Sequence, residues 1–104
     1  MHKTITTLHC EIPDSLRERA DAVLDRLAAI APRPHDAAVV FDVAHGHPSV
    51  ELRIHLSKGE VTVARAEAVD HRTALDRAEA KLRRQLERAA GRPLRKRAAE
   101  ADRV

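Results

Sequence analysis

Val39-Val40-Phe41-Asp42-Val43, Ser49-Val50-Glu51-Leu52-Arg53-Ile54-His55-Leu56 and, beyond Ser57-Lys58-Gly59-Glu60, Val61-Thr62-Val63 form the stretch that decides the fold. Val39, Phe41 and Val43 alternate with Val40 and Asp42. Val50, Leu52, Ile54 and Leu56 alternate with Glu51, Arg53 and His55. Successive side chains of a strand point to opposite faces, so each run reads as a strand with one buried face and one polar face. His45-Gly46-His47-Pro48 has the composition of a turn, and Ser57-Lys58-Gly59-Glu60 has the brevity of a tight hairpin. Val61 and Val63 carry a third strand from Glu60 to Glu67, so the expectation is a three-stranded antiparallel meander with Asp42, Glu51, Arg53 and His55 toward solvent.

Upstream, Pro13-Asp14 is a plausible helix start. Leu16, Ala20, Val23, Leu24, Leu27 and Ile30 then recur at three-and-four spacing until Pro32 and Pro34 forbid continuation. Before that helix, Thr-rich Lys3 to His9 reads as a first strand, because branched side chains fit a pleated surface. Downstream, Asp70 can cap a second helix with Leu75, Ala78, Leu82, Leu86 and Ala89 as its apolar stripe, and Gly91 and Pro93 are expected to end it. Residues 94–104 show no sustained apolar face, which predicts a mobile tail or a frayed helical extension. A right-handed crossover through the first helix makes strand two parallel to strand one and puts both helices on one sheet face. The expected class is α+β: a four-stranded mixed sheet in the order β-α-β-β-β-α, like a double-stranded-RNA-binding domain. Residues 1–92 would form the folded domain and 93–104 a basic, flexible tail.

The 104 residues suit one domain, and 43% hydrophobic with 34% charged residues is the composition of a chain that folds alone. Met1 to Leu8 lacks the apolar core of a signal peptide, and runs such as Ala37 to Phe41 are too short to span a bilayer. With one cysteine, Cys10, no internal disulfide can form, and the cytoplasm is the expected setting. Net charge is only +3, but residues 83–97 hold seven basic side chains against the single acid Glu87. Such local density points to an anionic partner.

On the second helix Arg77, Lys81, Arg84 and Arg88 follow at four, three and four residues and so line one side, with Arg92 and Arg95 continuing the row. Arg19, Arg26 and Arg33 are seven apart, close to two turns, and are expected to stack as a second row bordering the same groove. Exposed helices carry such residues for solubility too, paired with acids such as Asp76, Glu79 and Glu87. The run Arg95-Lys96-Arg97 exceeds what helix propensity or ion pairing requires. There is no Trp or Tyr, and Phe41 is assigned to a buried strand face, so base stacking is hard to supply. The expected ligand is the phosphate backbone and shape of folded RNA, with low sequence specificity and no DNA. A basic helix docking on an acidic protein partner is the competing reading.

Enzyme chemistry finds little support. His45 and His47 sit in a turn, His55 lies on a strand's polar face, and His2, His9, His35 and His71 are scattered; His-x-His alone is a weak metal signal. Cys10 reads as a small strand-end residue, Glu11, Asp14 and Asp70 as acids flanking helix starts, and no Gly-rich phosphate loop is present. No cofactor is expected.

Two segments carry a resemblance: Ile5-Thr6-Thr7-Leu8-His9-Cys10-Glu11-Ile12-Pro13-Asp14-Ser15-Leu16-Arg17, and Asp70 with Ala74-Leu75-Asp76 and Lys81-Leu82-Arg83-Arg84-Gln85-Leu86. The first is similar to the opening, and the second to the second helix, of the ribosome hibernation promoting factor family, which includes the ribosome-associated inhibitor and was once labelled a sigma-54 modulation protein. The chain departs at His71-Arg72, where the family often has Met-Tyr, and at Asp21-Ala22-Val23, where its first helix is usually richer in lysine. The resemblance implies binding to the small ribosomal subunit between head and body, where messenger and transfer RNA lie, and silencing of idle ribosomes. It implies RNA contacts at Lys81, Arg84, Gln85 and Arg88. Arg77, Arg92, Arg95, Lys96, Arg97, Arg19, Arg26 and Arg33 come from the charge pattern instead. Longer members carry a C-terminal dimerisation domain, so the resemblance is to a short, monomeric form.

Overall fold

The computed structural model describes the backbone of residues 1–102 and the side chains of residues 1–88. Its elements are β1 (His2–Thr7), α1 (Asp14–Ile30), β2 (Pro34–Ala44), β3 (His47–Leu56), β4 (Val61–Glu67) and α2 (His71–Asp102). One sheet in the order β1-β2-β3-β4 holds β1 parallel to β2 and the rest antiparallel. The α1 crossover thus yields the parallel pair, and the two turns yield the antiparallel ones, as the element order requires.

The two hairpin turns rest on left-handed backbone. His45 and Gly46 have φ of 56° and 77° between the paired residues Ala44 and His47, the two-residue turn whose twist matches that of the strands. Lys58 and Gly59 repeat the device at 72° and 79° in the turn between β3 and β4. Pro34 opens β2, a position where a missing N–H costs little, so the strand begins well before the Val39 from which the alternation is clear.

Register sets what is buried. Val39 lies between Ile5 and Leu52, Phe41 between Thr7 and Val50, and Leu52 pairs onward with Ala64. Onto this face α1 packs Leu16, Ala20, Val23, Leu24 and Leu27, and α2 packs Ala74, Leu75, Ala78, Leu82 and Leu86. Both helices therefore cover one face, and the opposite face, with Glu51, Arg53 and Arg65, meets solvent.

Two expectations need correction. Val43 is 42% exposed although its alternation is inward. On β4, whose inward set the sequence left open, the buried residues are Ala64 and Ala66, whereas Val61 and Val63 lie on the outer face at 46% and 39% exposure. Lastly, α2 does not stop at Gly91 and Pro93: its backbone stays helical to Asp102. A proline inside a helix removes one hydrogen bond, to the carbonyl four residues earlier, but the flanking Ala89, Ala90, Leu94, Arg95, Lys96, Arg97, Ala98 and Ala99 are mostly strong helix formers. At 1.5 Å per residue the 32-residue helix spans about 48 Å, longer than the sheet it crosses. Ala89 as a core residue lies outside the side chains described.

Truncating Leu82 to Ala should cost about 2–5 kcal/mol in urea unfolding, while Val61→Thr on the outer face should change stability by less than about 0.5 kcal/mol. Equal losses would show that the apolar outer positions of β4 are packed in solution.

Candidate nucleic-acid interface

Burial of Leu75, Ala78, Leu82 and Leu86 sets the rotation of α2 about its axis. At 100° per residue, Arg77, Lys81, Arg84 and Arg88 then fall within an arc of about 60°. All four are exposed, and they lie on the β4 side of the helix. Arg77 Nη1 donates to the Glu67 carbonyl at 3.3 Å and Lys81 Nζ to the Arg65 carbonyl at 2.8 Å, both on the outer edge of β4. Carbonyls orient a cation without neutralising it. Among the described residues none of the four forms an ion pair with a carboxylate, and all retain free donors. Gln85 stands beside the row, partly buried.

The α2 acids are used elsewhere. Asp76 accepts from Arg19 Nη2 at 2.8 Å and Nε at 3.2 Å, and Glu79 accepts from Arg26 at 2.9 and 3.1 Å and from Arg83 at 2.9 Å. These pairs form the seam between α1 and α2. The hydrogen bonds that Arg26 donates to Glu79, opposed by desolvation, raise the Arg26 pKa further above its ordinary value. Arg19 and Arg26 are thus engaged across the helix pair and do not border a basic groove with the α2 row. Arg33 lies beyond α1 with φ of 52°, its carbonyl accepting from Ser57 N at 3.1 Å, and so it does not stack on them. Arg92, Arg95, Lys96 and Arg97 lie outside the described side chains.

Asp70 Oδ1 accepts from Thr73 N at 2.7 Å and so caps α2 as its sequence position suggests. That backbone bond, helped by the Thr73 hydroxyl, holds the Asp70 carboxyl below its ordinary range. Next to it His71 Nε2 donates to the Asp42 carbonyl, 2.8 Å away, and the ring stands edge-on to Phe41 with ring centres 5.6 Å apart. Phe41 is fully buried and offers no face to a base.

Sequence reasoning missed the cluster on the outer sheet face. Glu51 on β3 lies between Arg53 of its own strand and Arg65 of β4, hydrogen-bonded to both. The bond from Arg65, then that from Arg53, outweigh desolvation and lower the Glu51 pKa. The signal was present in the alternation, but only the β3–β4 register, which opposes Glu51 to Arg65, brings these residues together. An open cleft of about 580 Å³ separates the N-terminal ends of the two helices, lined by Glu11, Ile12, Leu16, Arg19, Asp70 and His71. His45 Nδ1 lies 3.0 Å from Glu67, and among the described residues no group of three His, Cys, Asp or Glu is placed to hold a metal ion. Nor, among those residues, is any helix long and apolar enough to cross a membrane.

The family described as sigma 54 modulation protein / S30EA ribosomal protein matches residues 4–93. Among solved structures, a ribosomal subunit interface protein from Coxiella burnetii is 25% identical with a TM-score of 0.74, covering 86% of this chain and 97% of that one. The N-terminal domain of Protein Y from Thermus thermophilus is 27% identical with a TM-score of 0.68, covering 82% of this chain and 93% of that one. No curated protein sequence gives a significant match.

Asp42, held low by the His9 hydrogen bond and then by Val43 N, joins Glu51 and Asp70 as a carboxyl that ionises more readily in the fold than in the unfolded chain. Their contribution should be complete above pH ~5 and lost as pH falls through ~4 toward their folded values. Acid titration followed by circular dichroism checks this: Asp70→Asn, which keeps an oxygen for the cap but cannot titrate, should flatten the acid limb.

Proposed function

Because the chain belongs to the sigma 54 modulation protein / S30EA ribosomal protein family, that of the ribosome hibernation promoting factors, we propose that it binds the small ribosomal subunit and silences translation in idle ribosomes. The observation that carries this reading is the row Arg77, Lys81, Arg84 and Arg88, four cations on one exposed face without a carboxylate among the described residues. Phosphate oxygens are the natural counter-charge for such a row, and a helix face of this length can follow several phosphates along a folded RNA. Gln85, at the edge of the row, adds an uncharged donor and acceptor for a ribose hydroxyl or base edge.

The RNA in question is ribosomal RNA lining the channel for messenger and transfer RNA between head and body of the small subunit. Occupation there excludes both ligands sterically and needs no catalysis. By sequence alone, Arg92, Arg95, Lys96 and Arg97 follow the row, and their charge is assigned to the same RNA on this reading. The domain acts as a monomer in the cytoplasm on this reading, and the two related structures carry the matching fold under names that refer to a ribosomal subunit interface and to Protein Y.

Sedimentation with purified small subunits at low salt should recover the protein. With about six phosphate contacts, affinity should fall roughly a thousandfold between 50 and 200 mM salt. Arg84→Glu with Arg88→Glu should abolish both co-sedimentation and inhibition of a cell-free translation reaction. Binding that survives digestion of the RNA would instead favour an acidic protein partner, and loss of neither activity in the double variant would refute the helical row as the contact.

A further inference from the structure

We propose that the RNA-binding surface does not end at α2 but wraps around the edge of β4 onto the outer sheet face, where Arg65 and Arg53 contact phosphate and Glu51 positions them. The inference rests on the ribosomal reading above and extends its contact set to residues of the sheet.

Lys81 provides the continuity. Its ammonium sits 2.8 Å from the carbonyl of Arg65, so a cation from α2 and the guanidinium of Arg65 flank the same residue of the edge strand from opposite sides. Arg77 does likewise at Glu67, two residues along, which is the spacing at which an edge strand's free carbonyls recur. The edge of β4 is thus bordered by charge on its helix side and on its outer side. An RNA backbone lying along that edge would meet both.

The guanidiniums are arranged for such a contact. Arg65 and Arg53 have side chains 67% and 46% exposed, whereas Glu51 between them is 14% exposed. Glu51 engages each arginine through one terminal nitrogen, leaving the other N–H groups of both forks directed away from it. The two cations outnumber the one carboxylate they share, although Asp42 and Glu67 also contribute to the field at Arg65. Holding them by a recessed acid removes much of the rotamer entropy that a free arginine would lose on gripping phosphate. The neighbouring apolar residues Val61 and Val63 are exposed on the same face, while Asp42 and Glu67 lie near Arg65 and, after Glu51, help to raise its pKa.

Glu51 also supplies the discriminating test. If it merely neutralised the arginines, removing its charge would strengthen RNA binding. If it positions them, removal weakens binding although the protein becomes more positive. Binding to purified small subunits is measured by fluorescence anisotropy of labelled protein across a salt series, with thermal melts confirming that each variant folds. Arg65→Gln and Arg53→Gln should each weaken binding about three- to tenfold and reduce the salt slope by about one phosphate. Arg65→Lys should keep the slope but lose part of the affinity, since an ammonium cannot reproduce the fork. Glu51→Gln should weaken binding about two- to fivefold. Unchanged slopes in the arginine variants, or tighter binding by Glu51→Gln, would overturn the proposal while leaving the α2 reading intact; failure of the unaltered protein to bind subunits at all would overturn both.

Discussion

The seating of α2 on the sheet through Leu75, Ala78, Leu82 and Leu86 is the constraint on which the rest depends. A helix packed by one stripe has no rotational freedom, so burying these four side chains decides where every other α2 residue points. The basic row is exposed as a geometric consequence of that packing. Rotating the helix by one residue position would carry the row by about 100°, toward either the sheet or α1. The inner alanines of β4, Ala64 and Ala66, let the helix approach closely enough for Lys81 and Arg77 to reach the strand's carbonyls. Small residues beneath the helix and long cations at its rim are one arrangement, and it also covers a sheet edge that would otherwise invite strand pairing.

Charge on α2 is divided between two tasks. Asp76 and Glu79 point into the seam, where Arg19 and Arg26 of α1 meet them, so the helix's own acids are occupied away from its basic row. An arginine on α1 that resembles part of a binding surface thus contributes indirectly: by engaging Asp76, Arg19 keeps that carboxylate from screening the α2 cations. Exposed ion pairs of this kind stabilise only weakly, about 0–1 kcal/mol each, so their larger effect is on the field outside the protein.

The fold was almost fully legible because alternation along β2 and β3 and the three-and-four spacing along both helices are signals of burial, and burial is what the fold is made of. Of the predicted stripes, Leu16, Ala20, Val23, Leu24 and Leu27 of α1 and Leu75, Ala78, Leu82 and Leu86 of α2 are buried in the described core, and Ile30 is partly buried against it. What was not legible depended on partners distant in sequence. Val61 and Val63 are good strand formers, yet which of two alternating sets faces inward on β4 is decided by the space under α2. Arg19 and Arg26 share a spacing with the α2 row, but spacing does not reveal that Asp76 and Glu79 stand opposite them. Glu51 and Arg65 are 14 residues apart and meet only through register. Pro93 showed the converse error: a strong local signal for a helix end was overridden by a run of helix-forming neighbours.

The distribution of acids completes the electrostatic picture. On α1, Asp14, Glu18, Asp21 and Asp25 follow at four, three and four residues, the same spacing as the basic row on α2, and so they form a stripe of their own. It runs along the β1 edge, where Lys3 bridges Asp21 and Asp25 at 2.9 and 2.7 Å, and those two bonds raise the Lys3 pKa. Lys3 offsets one of the four charges. β1 and β4 are the two edges of the sheet, three inter-strand gaps or about 14 Å apart, which exceeds the screening length of about 8 Å at physiological salt. The two fields therefore do not cancel at the surface. A polyanion is repelled at the β1 edge and attracted at the β4 edge, so even a charge of only +3 on the whole chain is compatible with one strongly oriented face. Net charge understates this molecule because its acids and bases are separated by edge, and the separation follows from which helix packs over which strands.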